Sequence, residues 1–355
     1  MTERRALVIG ATGITGGNTV RHLADEGWEV IGVSRSRPQD AAGMEHVSLD
    51  VLDGAATETA LSGIAATHLF FCTWSRQDTE ARNIEVNRAM LRNVLDAAGT
   101  TGRLQHAALV TGLKHYLGPF EAYGKPGTPR PPYRESEPRL PYENFYYEQE
   151  DVLFEAAERY GFSWSVHRPH TMIGYALGNA MNMGVTLAVY GTLCRETGRP
   201  FLFPGSPEQH ENLTDITDAR LVARQLTWAA TSPAAANEPF NIVNGDKFRW
   251  QDMWQVVASG LGVEPAPYPG KPSPLVEQMV DSADEWRAVA ERHQLRVPDV
   301  DRLASWWHTD GDLGRVVEAH ADMTKSREAG FTDEQDSKRS FLDLFDRLRA
   351  ERVIP

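Results

Sequence analysis

The chain has 355 residues, of which 41% are hydrophobic and 24% are charged, and its formal net charge is −13. This composition is ordinary for a soluble globular protein, and the length suits one large α/β unit with a smaller region attached. The negative charge argues against a nucleic-acid partner and against binding to an anionic membrane. No apolar run approaches the roughly 20 residues of a membrane span, and no signal-peptide pattern precedes the first predicted strand, so a cytoplasmic location is expected.

The first predicted element is a strand over residues 6–9 that ends in a glycine-rich loop. Gly10, Gly13 and Gly16 give the spacing G-x-x-G-x-x-G, and a helical pattern follows them. Glycines let the backbone approach a phosphate closely, and the N-terminus of the following helix offers N–H groups to the anion. The pattern predicts a dinucleotide-binding loop, although a purely structural turn could carry the same glycines.

A second predicted strand, over residues 28–33, is followed by Ser34, Arg35, Ser36 and Arg37, with no carboxylate before Asp40. An NAD-specific site usually places an acidic side chain here to bind the ribose 2′-hydroxyl. Guanidinium groups instead match the geometry and charge of a 2′-phosphate. The segment therefore favours NADP(H) over NAD(H), and a solvated basic turn is the alternative.

The first half of the chain continues to alternate strand and helix patterns. Further strands are predicted over residues 45–49, 67–72, 106–110 and 163–167, and helices over residues 80–98 and 144–160. Residues 118–141 are rich in Pro and Gly and predict a long irregular loop. This order indicates an α/β fold with a Rossmann-type, doubly wound parallel sheet.

Beyond Pro169 the pattern becomes mainly helical. Helices are predicted over residues 181–195, 250–261, 274–294, 299–307 and 340–351, and an extended segment at 240–243 is expected to return to the main sheet. The predicted division is an NADP(H)-binding Rossmann domain at 1–170, with 205–245 returning to it. A smaller, helix-rich substrate-binding region covers 171–204 and 246–340, and a C-terminal helix and tail cover 341–355.

Two segments resemble one known family. They are T-G-L-K-H-Y-L-G-P-F at residues 111–120 and N-F-Y-Y-E-Q-E-D at residues 144–151. With Thr73-Trp74 and the glycine loop, they resemble the progesterone 5β-reductase/iridoid synthase-like family, whose members are atypical extended short-chain dehydrogenase/reductases. The resemblance implies NADPH-dependent 1,4-reduction of the activated C=C of small enones or enals. In that reaction a hydride adds to the β-carbon, and negative charge develops on the carbonyl oxygen.

The catalytic residues follow from the same resemblance. In an ordinary short-chain dehydrogenase, Tyr and Lys lie four positions apart on one helix, and the ammonium lowers the pKa of the phenol. Here the position four after Tyr146 is Glu150, and the position four after Tyr147 is Asp151, so neither supplies a cation. The resemblance implies that Lys114 supplies it from the loop after the fifth strand, and that Tyr146 and Lys114 hold the enolate oxygen. Plain aromatic packing of the two tyrosines is the alternative.

Other site residues are also carried over from the family, and no metal site is expected. The pyrophosphate is expected at Gly10, Thr12, Gly13, Ile14 and Gly16, the 2′-phosphate at Ser34, Arg35 and Arg37, and the adenine at Asp50 and Val51. The ribose and nicotinamide are expected at Thr73, Trp74, Thr111, Lys114, Tyr146, Pro169, Thr171 and Met172. The substrate is expected at Trp74, Leu117, Phe120 and Tyr146, although Leu117 could equally be part of the core.

Two other functions compete with the enone reductase. The first is a carbonyl reductase or sugar-nucleotide epimerase of the wider superfamily, which the absence of Lys at positions 150 and 151 disfavours. The second is a non-catalytic, NADP-sensing regulator, which the presence of both Tyr146 and Lys114 disfavours. A homodimer is one oligomeric state that the sequence allows.

Overall fold

The computed structural model describes residues 4–37, 43–118, 129–179 and 181–355. Its strands are β1 (Arg5–Ile9), β2 (Glu29–Ser34), β3 (Glu45–Ser48), β4 (His68–Phe71), β5 (His106–Val110), β6 (Ser163–Pro169), β7 (Met172–Ile173), β8 (Thr217–Asp218) and β9 (Glu238–Ile242). Its helices are α1 (Ile14–Asp25), α2 (Gly54–Leu61), α3 (Glu80–Gly99), α4 (Lys114–Leu117), α5 (Phe145–Tyr160), α6 (Met183–Thr197), α7 (Pro207–Glu211), α8 (Ala219–Thr231), α9 (Trp250–Leu261), α10 (Leu275–Gln278), α11 (Ser282–His293), α12 (Trp306–Leu313), α13 (Thr324–Glu328) and α14 (Ser337–Ala350).

The chain divides into two compact units. The first contains residues 1–169, 220–242 and 322–333, and the second contains 170–219, 243–321 and 334–355. This division differs from the predicted one, because residues 205–219 belong to the second unit and residues 322–333 return to the first. The return is held by hydrogen bonds: Asp322 N–H donates to the Tyr133 carbonyl at 2.8 Å, and Asn241 Nδ2 donates to the Asp322 carbonyl at 3.2 Å. The C-terminal residues 341–355 are part of the second unit rather than a separate tail.

In the described part of the first unit, seven parallel strands form one sheet in the order β3-β2-β1-β4-β5-β6-β9. This is the doubly wound Rossmann arrangement, and the segment at 238–242 joins its edge beside β6 as the sequence predicts. The chain order reverses between β1 and β4, and ligands of such sheets bind beyond the carboxyl ends of the strands at this point. Ile9 pairs with Phe71 of β4 and with Val33 of β2, so the loops that follow these strands start at one edge.

The apolar runs form strands because both faces of a parallel sheet are covered. Residues 6–9 of β1 are at most 1% exposed, as expected for a central strand between two layers of helices. Helices α3 and α5 pack closely on one side, where a Cβ on Gly99 would lie 2.5 Å from the Tyr160 ring. Both helices begin at polar caps: Thr79 accepts the N–H of Arg82, and Asn144 accepts the N–H of Tyr146. The caps fix where α3 and α5 start at the edge of the sheet.

The second unit has its own core and a short two-stranded parallel sheet of β7 and β8. Buried side chains of α6, α9, α11 and α14 meet in this core, among them Leu193, Trp254, Trp286 and Phe341. In the described part of the chain, no helix has the length and apolar character needed to cross a membrane.

Two predicted helices of this unit are wrong in extent. The segment 274–294 forms two helices, α10 and α11, with turn residues at 279–281 between them. The Asp310 carboxylate accepts the N–H groups of Leu275 and Val276 and so fixes the start of α10. The segment 299–307 forms a 3₁₀ turn at Val300–Arg302, and α12 then runs on to Leu313. A hydrogen bond from Ser305 N–H to Thr186 Oγ1 at 3.0 Å holds the chain between these two pieces.

Candidate active site

The glycine loop after β1 is shaped by close backbone contacts. Gly10 has a φ of +86°, and its N–H donates to a carbonyl of β2 at 2.9 Å. A Cβ on Gly16 would lie 2.1 Å from the Gly10 carbonyl oxygen, so only glycine allows α1 to start this close to the strand. No side chain caps α1 at Gly13, where the helix dipole and N–H groups favour an anion. Thr12 of this loop is partly exposed, and Ile14 is buried. Because the start of α1 has no side-chain cap, the loop fits a pyrophosphate.

The end of β2 carries two exposed cations, Arg35 and Arg37. Ser34, the last residue of β2, is buried, and its hydroxyl donates to the Ser36 carbonyl at 2.8 Å. The same oxygen lies 2.9 Å from Nε2 of His46, a β3 residue that the sequence prediction did not include. These contacts hold the turn, and they place a further nitrogen beside the residues expected at a 2′-phosphate.

The segment after β3 contains Asp50 and Val51, the residues expected at the adenine. Asp50 is exposed, and its Oδ1 accepts the N–H of Leu52 at 3.0 Å. Val51 is buried in the core of the first unit. Asp50 therefore shapes a turn at the sheet edge, while Val51 anchors it.

Thr73 and Trp74 follow β4. Thr73 borders the glycine loop, since a Cβ on the first loop glycine would lie 2.8 Å from the Thr73 Cβ. Trp74 is half-buried, and its ring stacks on the Phe145 ring with centroids 5.1 Å apart. Asn87 fixes the next residue, because its side chain accepts the Ser75 N–H at 2.7 Å and donates to the Ser75 carbonyl at 2.8 Å. The position of the indole is thus set from both sides.

Lys114 is the first residue of α4, and its ammonium has a carboxylate partner. Lys114 Nζ lies 2.7 Å from Glu80 Oε2 and 4.8 Å from the centroid of the Phe145 ring. The other oxygen of Glu80 accepts the Phe145 N–H at 2.9 Å. The Lys114 and Glu80 side chains are only 13% and 18% exposed. The ammonium is therefore held at the N-terminus of α5.

Tyr146 lies in the first turn of α5. Its ring packs against the Phe145 ring with centroids 4.2 Å apart, and its N–H donates to Asn144 Oδ1 at 3.0 Å. Asn144 Nδ2 in turn donates to the Lys114 carbonyl at 2.9 Å. A Cβ on Gly112 would lie 3.3 Å from Tyr146 Oη, which places the hydroxyl against the backbone that leads into α4. The structure therefore brings Tyr146 and Lys114, from separate segments, into contact with the same buried ring.

Tyr147 has a different environment from its neighbour. Its hydroxyl donates to the His115 carbonyl at 2.5 Å and accepts the Leu140 N–H at 3.0 Å. The side chain is buried, and this burial raises the pKa of the phenol. Both hydrogen-bonding directions of the Tyr147 hydroxyl are used inside the fold, so Tyr147 is a structural residue.

Glu150 occupies the position where an ordinary short-chain dehydrogenase has its lysine. It is 2% exposed, and its carboxylate lies 3.0 Å from Arg168 Nη2 and 3.0 Å from Arg139 Nη2. His115 Nδ1 lies 3.4 Å from Glu150 Oε1. Burial alone would raise the pKa of Glu150, but His115 and the charges of Arg168 and Arg139 lower it to about 2. This position therefore holds a buried anion in an ion-pair network.

Three further predicted residues lie in the first unit. Thr111 N–H donates to the His167 carbonyl at 2.8 Å, and Pro169 accepts the Leu113 N–H at 3.1 Å, so both belong to the backbone that connects β5, β6 and α4. Leu117 is 2% exposed, which makes it part of the packing around α4. Phe120 lies outside the described residues.

Thr171 and Met172 belong to the second unit. The Thr171 carbonyl accepts the Thr217 N–H at 3.0 Å, and Thr171 Oγ1 donates to Asp312 Oδ2 at 3.1 Å. Met172 begins β7. Among the described residues, no group of three His, Cys, Asp or Glu side chains is arranged to hold a metal ion.

Comparison with known proteins shows the family of the chain. Residues 53–355 match the family model described as a PRISE-like Rossmann-fold domain. The chain is 39% identical to an (S)-8-oxocitronellyl enol synthase of Camptotheca acuminata, over 99% of this chain and 93% of the relative. It is also 39% identical to a 3-oxo-Δ(4,5)-steroid 5β-reductase of Arabidopsis thaliana, over 99% and 94%. The chain belongs to the PRISE-like family.

The fold is shared more widely than the PRISE-like family. A UDP-glucose 4-epimerase of Thermotoga maritima superposes with a TM-score of 0.71 over 98% of this chain and 99% of that one, at 18% sequence identity. At that identity the likeness concerns the fold alone. The family model and the two relatives confirm the resemblance that the two motifs indicate, at the level of the family.

Several polar residues of this PRISE-like chain that surround the predicted site were not predicted from its sequence. Each of them contacts one residue described above: His46 contacts Ser34, Glu80 contacts Lys114, Asn87 contacts Ser75, and Arg139 contacts Glu150. Each lies at least 11 positions along the chain from its partner. Of these four residues, only His46 could have been expected from the predicted strands, because it lies on β3, which pairs with the end of β2.

Proposed function

We propose that the protein is an NADPH-dependent reductase of activated C=C bonds in small enones and enals. One observation carries the proposal: Lys114 of α4 and Tyr146 of α5 both contact the ring of Phe145. A steroid 5β-reductase and an enol synthase, each 39% identical over almost the full chain, support this class of reaction. The cofactor would supply a hydride to the β-carbon of the bound enone.

The residues around the glycine loop fit a dinucleotide. Gly10 and Gly16 let the loop pack closely against the residues after β4 and against the start of α1. The start of α1 at Gly13 has no side-chain cap, so its N–H groups suit a pyrophosphate. Arg35 and Arg37 are exposed at the end of β2, where their charge suits a 2′-phosphate. Thr111 and the Pro169 backbone lie at the carboxyl ends of β5 and β6, on the edge expected for the nicotinamide half.

The chain's part in the chemistry is to hold the substrate oxygen. As hydride reaches the β-carbon, negative charge grows on the carbonyl oxygen, and a fixed donor there lowers the barrier. Tyr146 Oη donates a hydrogen bond to this oxygen, and the Lys114 ammonium stabilises the same charge and orients the ribose. The α-carbon then takes its proton from water, so no further acidic side chain is required. Trp74 provides an apolar wall beside the two groups.

Mutation of the two proposed catalytic residues tests this assignment. Lys114→Ala and Tyr146→Phe should each lower kcat by about 10²–10³-fold, the range for loss of an oxyanion donor, with a much smaller loss of NADPH affinity. Tyr147→Phe is the matched control, since it removes a neighbouring hydroxyl whose two hydrogen bonds stay inside the fold. Its kcat should change little. Equal and small effects at all three positions would refute the assignment.

A further inference from the structure

The distance between Lys114 and Tyr146 is not fixed by a single helix. Groups four positions apart on one helix are neighbours by geometry alone. Here the two groups lie on α4 and α5, so the fold has to hold them in register by contacts between segments. Asn144 makes one such contact through the Lys114 backbone. Glu80, at the start of α3, makes a second through the ammonium itself.

Glu80 connects three segments with one carboxylate. Oε2 lies 2.7 Å from Lys114 Nζ on α4, and Oε1 accepts the N–H of Phe145, the first residue of α5, at 2.9 Å. Asn83 Nδ2 donates to Oε2 at 3.2 Å and limits the rotation of the carboxylate. A carboxylate in the first turn of a helix also interacts favourably with the helix dipole. The dipole alone does not explain why both oxygens contact other segments.

We propose that Glu80 is a positioning residue for Lys114, a role that rests on the function proposed above. The carboxylate holds the ammonium at the N-terminus of α5 before substrate arrives, so that no reorganisation is needed while charge develops. The ring of Phe145 adds a cation–π contact with the ammonium. Without Glu80, the four-carbon stem of Lys114 would let the ammonium move among several rotamers.

Glu80→Gln separates this role from a structural one. Glutamine keeps an oxygen that can accept the Phe145 N–H but has no charge to hold Lys114. We expect kcat to fall about ten- to a hundredfold, the range for loss of a charge-assisted contact. The KM for NADPH should change much less. Glu80→Asp, which keeps the charge on a shorter stem, should recover part of the loss.

A second Lys–Glu pair in the first unit provides a matched control. Lys325 Nζ lies 2.6 Å from Glu238 Oε2 and 5.2 Å from the centroid of the Phe240 ring, so the two distances are similar to those at Lys114, in a more exposed pair away from the proposed site. Glu238→Gln should leave kcat unchanged. Circular dichroism and the melting temperature of each variant show whether it is folded.

A chemical readout on the cofactor-free protein makes the test independent of turnover. An amine-reactive acetylating reagent, followed by peptide mass spectrometry, measures the labelling rate at each lysine. Glu80→Gln should speed labelling of Lys114 and leave Lys325 unchanged, and Glu238→Gln should do the reverse. Unchanged Lys114 labelling together with unchanged kcat in Glu80→Gln would overturn the proposal. A wild-type enzyme that reduces no enone, with faster Lys114 labelling in Glu80→Gln, would refute the proposed function and still support Glu80 as the residue that holds Lys114.

Discussion

Replacement of Glu150 by Gln tests the ion-pair network under α5. The change removes the charge that pairs with Arg168 at 3.0 Å while it keeps the size of the side chain. Arg168 is 4% exposed, and it would keep Tyr116 Oη at 3.2 Å and the face of the Tyr116 ring but lose its charged partner at position 150. Arg139 is less affected, because it also pairs with Asp151 at 2.8 Å. The variant therefore removes the carboxylate that contacts Arg168 and leaves this cation buried.

Two routes give a similar magnitude for this loss. The fall in the pKa of Glu150 from 4.5 to about 2 corresponds to roughly 3 kcal/mol of stabilisation of the ionised form. Breaking a buried ion pair by removal of one partner costs about 3–5 kcal/mol, because the other charge stays buried. We therefore expect Glu150→Gln to lower the free energy of unfolding at pH 7 by about 3–5 kcal/mol.

Urea unfolding of the cofactor-free protein, followed by circular dichroism, measures this change. Glu155→Gln is the matched control on the same helix, since Glu155 pairs with Arg92 at the surface and should matter little. In an Arg168→Met background, Glu150→Gln should cost much less, because no unpaired cation remains. Equal effects of Glu150→Gln and Glu155→Gln would refute the reasoning.

The same network predicts a pH dependence with a definite sign. The pKa of Glu150 is lower in the folded protein than its ordinary value of 4.5. Its contribution to stability is therefore complete above pH 4.5 and is lost as the pH falls toward 2. The difference in unfolding free energy between wild type and Glu150→Gln should narrow over this interval. A difference that stays constant down to the acid end would contradict the ion-pair account.

Two further predictions concern the dinucleotide cradle. Arg35→Ala should weaken NADPH binding about ten- to a hundredfold and leave NADH binding nearly unchanged, as measured by titration of the nicotinamide fluorescence. Arg103→Ala is the control, because Arg103 is exposed and precedes β5, at the amino ends of the strands, and this variant should change neither NADPH nor NADH binding. A wild type that prefers NADH would contradict the assignment. Gly16→Ala should destabilise the protein by about 1–3 kcal/mol and impair NADPH binding, because its Cβ would lie 2.1 Å from the Gly10 carbonyl oxygen. Gly63→Ala, where nothing lies within 4 Å of the added carbon, is the control, and an equal melting temperature for the two variants would refute the packing argument.

The parts of the fold that could be predicted are those whose local pattern and tertiary environment agree. The apolar runs that form β1, β4 and β5 are buried on both faces of the sheet, so composition alone indicates a strand. The segment 274–294 shows the opposite case. Its apolar spacing continues through residues 279–281, where α10 has ended and α11 has not begun. The start of α10 is fixed by Asp310, which lies 35 positions from Leu275.

The candidate site divides in the same way. Tyr146 and Lys114 stand in motifs of neighbouring residues, so the family resemblance finds them. Glu80 stands in the first turn of α3, where an acidic residue is ordinary, and nothing local indicates that it contacts Lys114 34 positions later. The buried Glu150 network likewise needs Arg139 from the loop and Arg168 from β6, which only the folded chain brings together.

In the proposed reaction, hydride reaches the β-carbon of an enone while Tyr146 and Lys114 hold the oxygen. The most direct measurement is product analysis by mass spectrometry and NMR after turnover of a small enone or enal with NADPH that carries deuterium at the transferable C4 position. The expected product is a saturated ketone or aldehyde with the deuterium on the β-carbon and the carbonyl intact. An allylic alcohol with the deuterium on the carbinol carbon would contradict it.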